Sequence, residues 1–218
     1  MIPTSDVIDL LVANASPVRR LPPPLLRALL WLAFAALVLV LLVVGHGIRP
    51  DLARRASEPL FVVAICASLS TGVLAVIASF MSNVPDRSRG WVFAPLPALV
   101  VWLSTIGYGC LTHWVEIGPG GVHAGDTARC FATLMLTSLP LSLALLVMLR
   151  NGSMLRLTTV TITASLAIAG MTASAMSLIH DLNATAMILL WNLGAAAAIV
   201  VAGGCVLAIR NAIAHVTK

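Results

Sequence analysis

Residues 25–44 read LLRALLWLAFAALVLVLLVV, and this stretch decides the fold. Arg27 stands near its start, and every residue after it is apolar. A helix that crosses the hydrocarbon core of a bilayer needs roughly 20 such residues. Lipid offers no partner for an unpaired backbone group, so a run of this length must close its hydrogen bonds internally, as a helix. Outward from Leu25–Val44, five more runs share its character: Pro59–Met81, Val92–Leu111, Phe131–Leu149, Leu157–Leu178 and Ala186–Ile209. The expected fold is all-α, a polytopic membrane bundle of six transmembrane helices preceded by a short cytoplasmic N-terminal helix. Residues 1–24 form a cytoplasmic segment, 25–209 the bundle, and 210–218 a cytoplasmic tail.

Composition agrees. Only 10% of the 218 residues are charged and 60% are hydrophobic, where a soluble domain carries about 25% charged residues. Such a chain has too little polar surface to face water. Its net charge of +5 comes from cations placed mainly between the apolar runs, which suits topology signals and lipid headgroups. No basic stretch is interleaved with aromatics, so direct nucleic-acid binding is set aside. The first run begins behind Asp6, Asp9, Arg19 and Arg20 and reads as a retained span, not a cleavable signal peptide.

Turn formers mark the breaks: Gly45, Gly47 and Pro50, then Asn83 to Gly90, then Gly118-Pro119-Gly120-Gly121, then Asn151-Gly152. With the N-terminus inside, Arg19, Arg20, Arg27, Arg87, Arg89, Arg150, Arg156, Arg210 and Lys218 lie on the cytoplasmic side. Arg49, Arg54, Arg55 and Arg129 lie outside. The count of nine against four places both termini in the cytoplasm. Trp31, Trp91, Trp114 and Trp191 lie near run ends, as interfacial tryptophans do. Pro140 inside the fourth run is expected to kink it. Ser68, Ser70, Thr71 and Gly72 in the second run, Thr158, Thr159, Thr161, Thr163, Gly170 and Ser174 in the fifth, and Gly194, Ala198 and Ala202 in the sixth suit close helix contact. No acidic or basic residue lies deep in any run, and Asn192 is the most polar interior side chain. Ion-coupled transporters keep ionisable groups at that depth, so transport is disfavoured.

In the N-terminal segment, Thr4 or Ser5 can cap a short helix whose first turns hold Asp6 and Asp9. Val7, Leu10 and Leu11 share one face. A helix this short is marginal alone in water. Its apolar face therefore lies on the membrane surface or on the chain's own loops, or it docks in a groove of a cytoplasmic partner. Pro17 ends it, and Pro22-Pro23-Pro24 forms a stiff spacer before the first span.

Cys66 and Cys205 fall within runs and read as buried packing residues. Cys110 and Cys130 close the third run and open the fourth, so both belong at the outer face. His46, His113, His123 and His180 are also expected there, with Glu116, Asp126 and Asp181. A cysteine pair outside the cytoplasm forms a disulfide or binds a soft or borderline metal. Both alternatives stay open on the residues alone, as does a purely structural role for the bond.

An ordered set of residues resembles a known family. It comprises Leu10-Leu11, Pro17-Val18-Arg19-Arg20-Leu21-Pro22-Pro23, Arg27, Val84-Pro85-Asp86-Arg87-Ser88-Arg89, Trp91 and Pro95-Leu96-Pro97. Further along come Gly107, Gly109-Cys110, Trp114, Gly118-Pro119, Gly121, Cys130, Ser138-Leu139-Pro140 and Leu190-Trp191. Over nearly its whole length the chain resembles the NrsF-type membrane anti-sigma factors of proteobacteria. The resemblance implies a non-enzymatic protein of the bacterial inner membrane that sequesters an extracytoplasmic-function sigma factor. Val7, Leu10, Leu11, Arg19, Arg20, Arg87 and Arg89 would then touch the partner. It also implies a response to heavy metals or oxidation through outward-facing cysteines. Cys110 and Cys130, with His113, His123 and His180, would then form the sensing element, holding a metal ion or a disulfide. Some relatives carry a cysteine in the last outer loop, where this chain has His180-Asp181. The alternative functions are a small transporter or channel, and, more weakly, a membrane thiol or haem enzyme. Beyond the sigma factor and the bilayer, neither a nucleic-acid partner nor a small-molecule substrate is expected.

Overall fold

The computed structural model describes residues 12–13, 22–84, 88–113, 124–149 and 157–179, together with 192, 194 and 197. The described elements are α1 (Pro24–His46), α2 (Leu52–Arg55), α3 (Pro59–Ser82), a 3-10 helix (Arg89–Phe93), α4 (Leu96–His113), α5 (Ala124–Leu149) and α6 (Leu157–Ile179). Five helical stretches are long and apolar enough to cross a membrane, in agreement with the first five runs. The chain is therefore a multi-pass membrane protein. The sixth run, Ala186–Ile209, lies outside the described residues except for Asn192, Gly194 and Ala197, all helical. The expected N-terminal helix also lies outside them, apart from Val12 and Ala13, which are helical and exposed.

Local chemistry sets the ends. Pro24 and Pro59 occupy the first turns of α1 and α3, where a missing N–H goes unneeded. Gly47 ends α1 with φ 79°, and its N–H reaches back to the Val43 carbonyl at 2.9 Å. A side chain at that φ would be strained, which selects glycine. The third run differs from the sequence expectation. Its first residues form the 3-10 helix and a turn, and α4 starts only at Leu96. Pro95 and Pro97 have no N–H to continue a helix from Val92. The fourth run also differs: α5 begins at Ala124 and carries Asp126 and Arg129 beyond the apolar span. It runs unbroken through Pro140.

α6 is the central helix, with its residues from Leu166 to Met176 all buried. Lipid is as apolar as leucine, so no hydrophobic gain drives helices together here; close packing and interhelical hydrogen bonds do. α3 lies against α6 at two glycines. A Cβ added to Gly170 would fall 2.8 Å from the Gly72 nitrogen, so the two backbones touch. Ser68 and Ser174 share a hydrogen bond of 2.9 Å beside them. The second and fifth runs thus pack through their small residues, as expected. α1 joins through Ala28, Trp31 and Ala35, all buried. Around this core, Leu29, Leu30, Leu37, Val40, Leu41 and Val44 of α1 are exposed, as are Leu139, Leu143, Leu146 and Val147 of α5. These faces meet lipid.

Three sequence expectations need correction. Trp31 is not interfacial: it is fully buried, and its Nε1 donates to the Leu141 carbonyl of α5 at 3.2 Å. Cys66 is not buried but exposed on the lipid-facing side of α3. Gly194 does not bring two backbones together, since a Cβ there would meet nothing within 4 Å. The cause is common to all three. A single apolar helix gives no sign of which face meets lipid and which meets protein.

Candidate functional site

Contacts between helix ends show that the spans alternate in direction. At one end, the Arg27 guanidinium of α1 lies 5.0 Å from the Phe80 ring centre at the close of α3. Asn83, just past α3, donates from Nδ2 to the Leu149 carbonyl at 3.3 Å, capping the end of α5. Ser79 reaches the Val160 carbonyl near the start of α6 at 3.5 Å. Start of α1, end of α3, end of α5 and start of α6 therefore sit together. The chain enters the bundle here at Pro22, and the connections at 83–95 and 150–156 begin and finish here.

The opposite end is built on Arg49. This residue is buried, and it donates to Asp51 twice, Nε to Oδ1 at 2.6 Å and Nη2 to Oδ2 at 3.0 Å. Its backbone N–H bonds the Leu178 carbonyl at 3.3 Å, so the loop after α1 docks on the end of α6. Arg55 adds ion pairs to Asp51 and Glu58, each at 3.6 Å. α2 is one turn of helix within this loop, where the turn formers Gly47 and Pro50 had pointed only to a break between spans.

The Arg49 hydrogen bonds hold the Asp51 carboxyl below its ordinary value of 3.8, and the positive charges of Arg49 and Arg55 act in the same direction. A depressed carboxyl stabilises the fold above its unfolded value and loses that contribution as pH falls through the lower folded value. Loop docking should therefore be intact at and above about pH 5 and weaken as pH drops below about 4. Hydrogen exchange checks this: the protection factor of the Arg49 amide should fall in acid, and Asp51→Asn should lower it at neutral pH.

The residues singled out by sequence fall as follows. Cys110 lies near the C-terminal end of α4, and His113 is its last residue. Cys130 lies in the second turn of α5, inside a helix that was expected to begin after it. α4 and α5 are consecutive, so these positions share the Arg49 end of the bundle. α4 packs on α3, whereas α5 packs on α1 and α6. Arg89 opens the 3-10 helix at the Arg27 end. The side chains of Cys110, His113, Cys130 and Arg89 lie outside the described set, as do Val7, Leu10, Leu11, Arg19, Arg20, Arg87, His123 and His180 altogether. Among the described residues, no three His, Cys, Asp or Glu side chains stand together as a metal site.

Sequence reasoning did not anticipate the roles of Asn83, Arg49 or the Arg27–Phe80 contact. Asn83 had one signal, an amide directly after an apolar run, where helix ends need capping. Arg49 and Asp51 had another, opposite charges two apart around Pro50 in a turn.

No curated protein and no solved structure matches the chain. The profile of one family, described as NrsF, negative regulator of sigma F, matches residues 11–210. That stretch takes in all five described spans and the sixth run. The chain belongs to the NrsF family and is a membrane negative regulator of a sigma factor.

Proposed function

We propose that the chain sequesters an extracytoplasmic-function sigma factor at the bacterial inner membrane, with both termini in the cytoplasm. The family match carries this reading. The alternation of the spans supports it, because residues 1–21, 85–87 and 150–156 all join the bundle at the Arg27 end. Val7, Leu10 and Leu11 supply an apolar stripe for the partner's groove. Arg19, Arg20, Arg87 and Arg89 add positive charge on the same side of the membrane. Occlusion is the mechanism: a sigma factor held by this surface cannot engage core polymerase. The test is to compare transcripts with and without the gene; one promoter class should rise on deletion. Reporter fusions at Gly120 and Lys218 check the orientation, and they should report opposite sides of the membrane.

Release is proposed to start at Cys110 and Cys130, through oxidation to a disulfide or binding of a soft metal ion. Thiolates favour such metals, and neutral imidazoles of His113, His123 or His180 can complete a site. A link between the two cysteines would tie α4, on one flank of α3, to α5, which packs on α1. A ligand shifts such an equilibrium only by its differential affinity for the two states, and about 1.4 kcal/mol gives tenfold release. Cys110→Ser with Cys130→Ser should leave the target promoters unresponsive to cadmium and chromate, locked either off or on. Unchanged induction would remove the pair from the signalling path.

A further inference from the structure

Arg27 is only 7% exposed. Among the described residues, the interaction its guanidinium makes is with the face of Phe80. A ring face attracts a cation but accepts none of the guanidinium's five N–H donors in a directed hydrogen bond. A buried cation in that condition is unfavourable unless an anion completes it.

The first turn of α1 adds to the same deficit. Its N-cap is Pro23, which makes no side-chain cap, and its first turn holds no acidic residue. The amides of Leu25 and Leu26 are left at the positive end of the helix dipole without an intrahelical acceptor. Arg27 belongs to the same end of α1, one residue after Leu26. Two sources of positive potential thus lie at one helix end, and no carboxylate among the described residues pairs with Arg27.

Depth identifies the missing group. Arg27 is the third residue of the apolar stretch, at the level where an arginine in a span reaches the headgroup region. The phosphates of a leaflet lie there. A carboxylate on a water-soluble partner would have to enter the bilayer interface to reach the same point. We propose that Arg27 and the first turn of α1 bind the phosphate of a bilayer phospholipid. The guanidinium fork meets two phosphate oxygens, the free amides meet a third acceptor position, and Phe80 holds the guanidinium plane in place. The site is independent of the sigma-factor reading.

The test uses the full chain purified in a phosphate-free maltoside detergent. Native mass spectrometry counts bound dioleoyl phosphatidylglycerol, and thermal unfolding is followed with and without that lipid. Arg27→Gln should weaken the tightest lipid-binding event about tenfold and abolish most of the lipid-induced rise in Tm, while Arg27→Lys keeps part of both. Dioleoylglycerol, which has the same chains and no phosphate, should not stabilise the wild type; this comparison needs no variant to fold. Equal lipid binding by wild type and Arg27→Gln, or equal stabilisation by dioleoylglycerol, would overturn the proposal. Protection by millimolar inorganic phosphate as strong as that by the lipid would overturn the lipid assignment in favour of a free anion. Lipid binding at Arg27 that appears only after Asp6→Asn with Asp9→Asn would overturn it in favour of the chain's own carboxylates.

Discussion

Gly170→Val is expected to leave no folded bundle, and Gly170→Ala a badly weakened one. A Cβ at this position would lie 2.6 Å from the Ser68 carbonyl oxygen, 2.8 Å from the Gly72 nitrogen and 2.9 Å from the Gly72 Cα. All three are backbone atoms of α3, so no side chain can rotate aside. The helices must separate, and the Ser68–Ser174 hydrogen bond goes with them. Overpacking a well-filled contact costs about 1–3 kcal/mol, occasionally more. Interhelical hydrogen bonds in membranes add about 0.6 kcal/mol each. For Gly170→Ala we expect a loss of about 3 kcal/mol, a large part of a total stability of about 5–15 kcal/mol. Reversible unfolding in mixed micelles measures it. Gly107→Ala is the control, because a Cβ there would meet nothing within 4 Å.

This contact was legible in the sequence because small residues in an apolar run are what close helix packing selects. Ser68, Gly72, Gly170 and Ser174 stood out against leucines and valines, and they are where α3 and α6 meet. The spans were equally legible, since run length is set by bilayer thickness. Facing was not. In a soluble helix, the polar residues mark the outside. In α1 the buried Trp31 and Ala35 and the exposed Leu37 and Leu41 are all apolar, so the pattern says nothing about which side meets lipid. The same ambiguity hid the lipid-facing position of Cys66. The Arg49 anchor depends on a contact with Leu178, more than a hundred residues away, which no local pattern encodes.

The second large effect concerns the N-terminal segment. Leu10→Asp with Leu11→Asp should free the sigma factor while the protein still inserts at normal levels, since neither residue belongs to a span. Burying a leucine is worth about 1.5–3 kcal/mol, so losing two from a docked helix weakens binding by a hundredfold or more on the usual scale of about 1.4 kcal/mol per tenfold. Target transcripts should approach the level seen without the gene. Repression that survives at normal protein levels would move the contact to the arginine-bearing connections around Arg87 and Arg89.

The most direct measurement takes the full chain in lipid nanodiscs, immobilised, with the purified sigma factor whose regulon rises on deletion of the gene. Sigma factor is bound first, and core polymerase is then added in increasing amounts. Occlusion predicts that the sigma factor binds the nanodiscs, that core polymerase strips it off as a competitor, and that no complex of all three forms. A sigma factor that fails to bind, or one that stays on the nanodiscs while carrying core polymerase, would contradict the account.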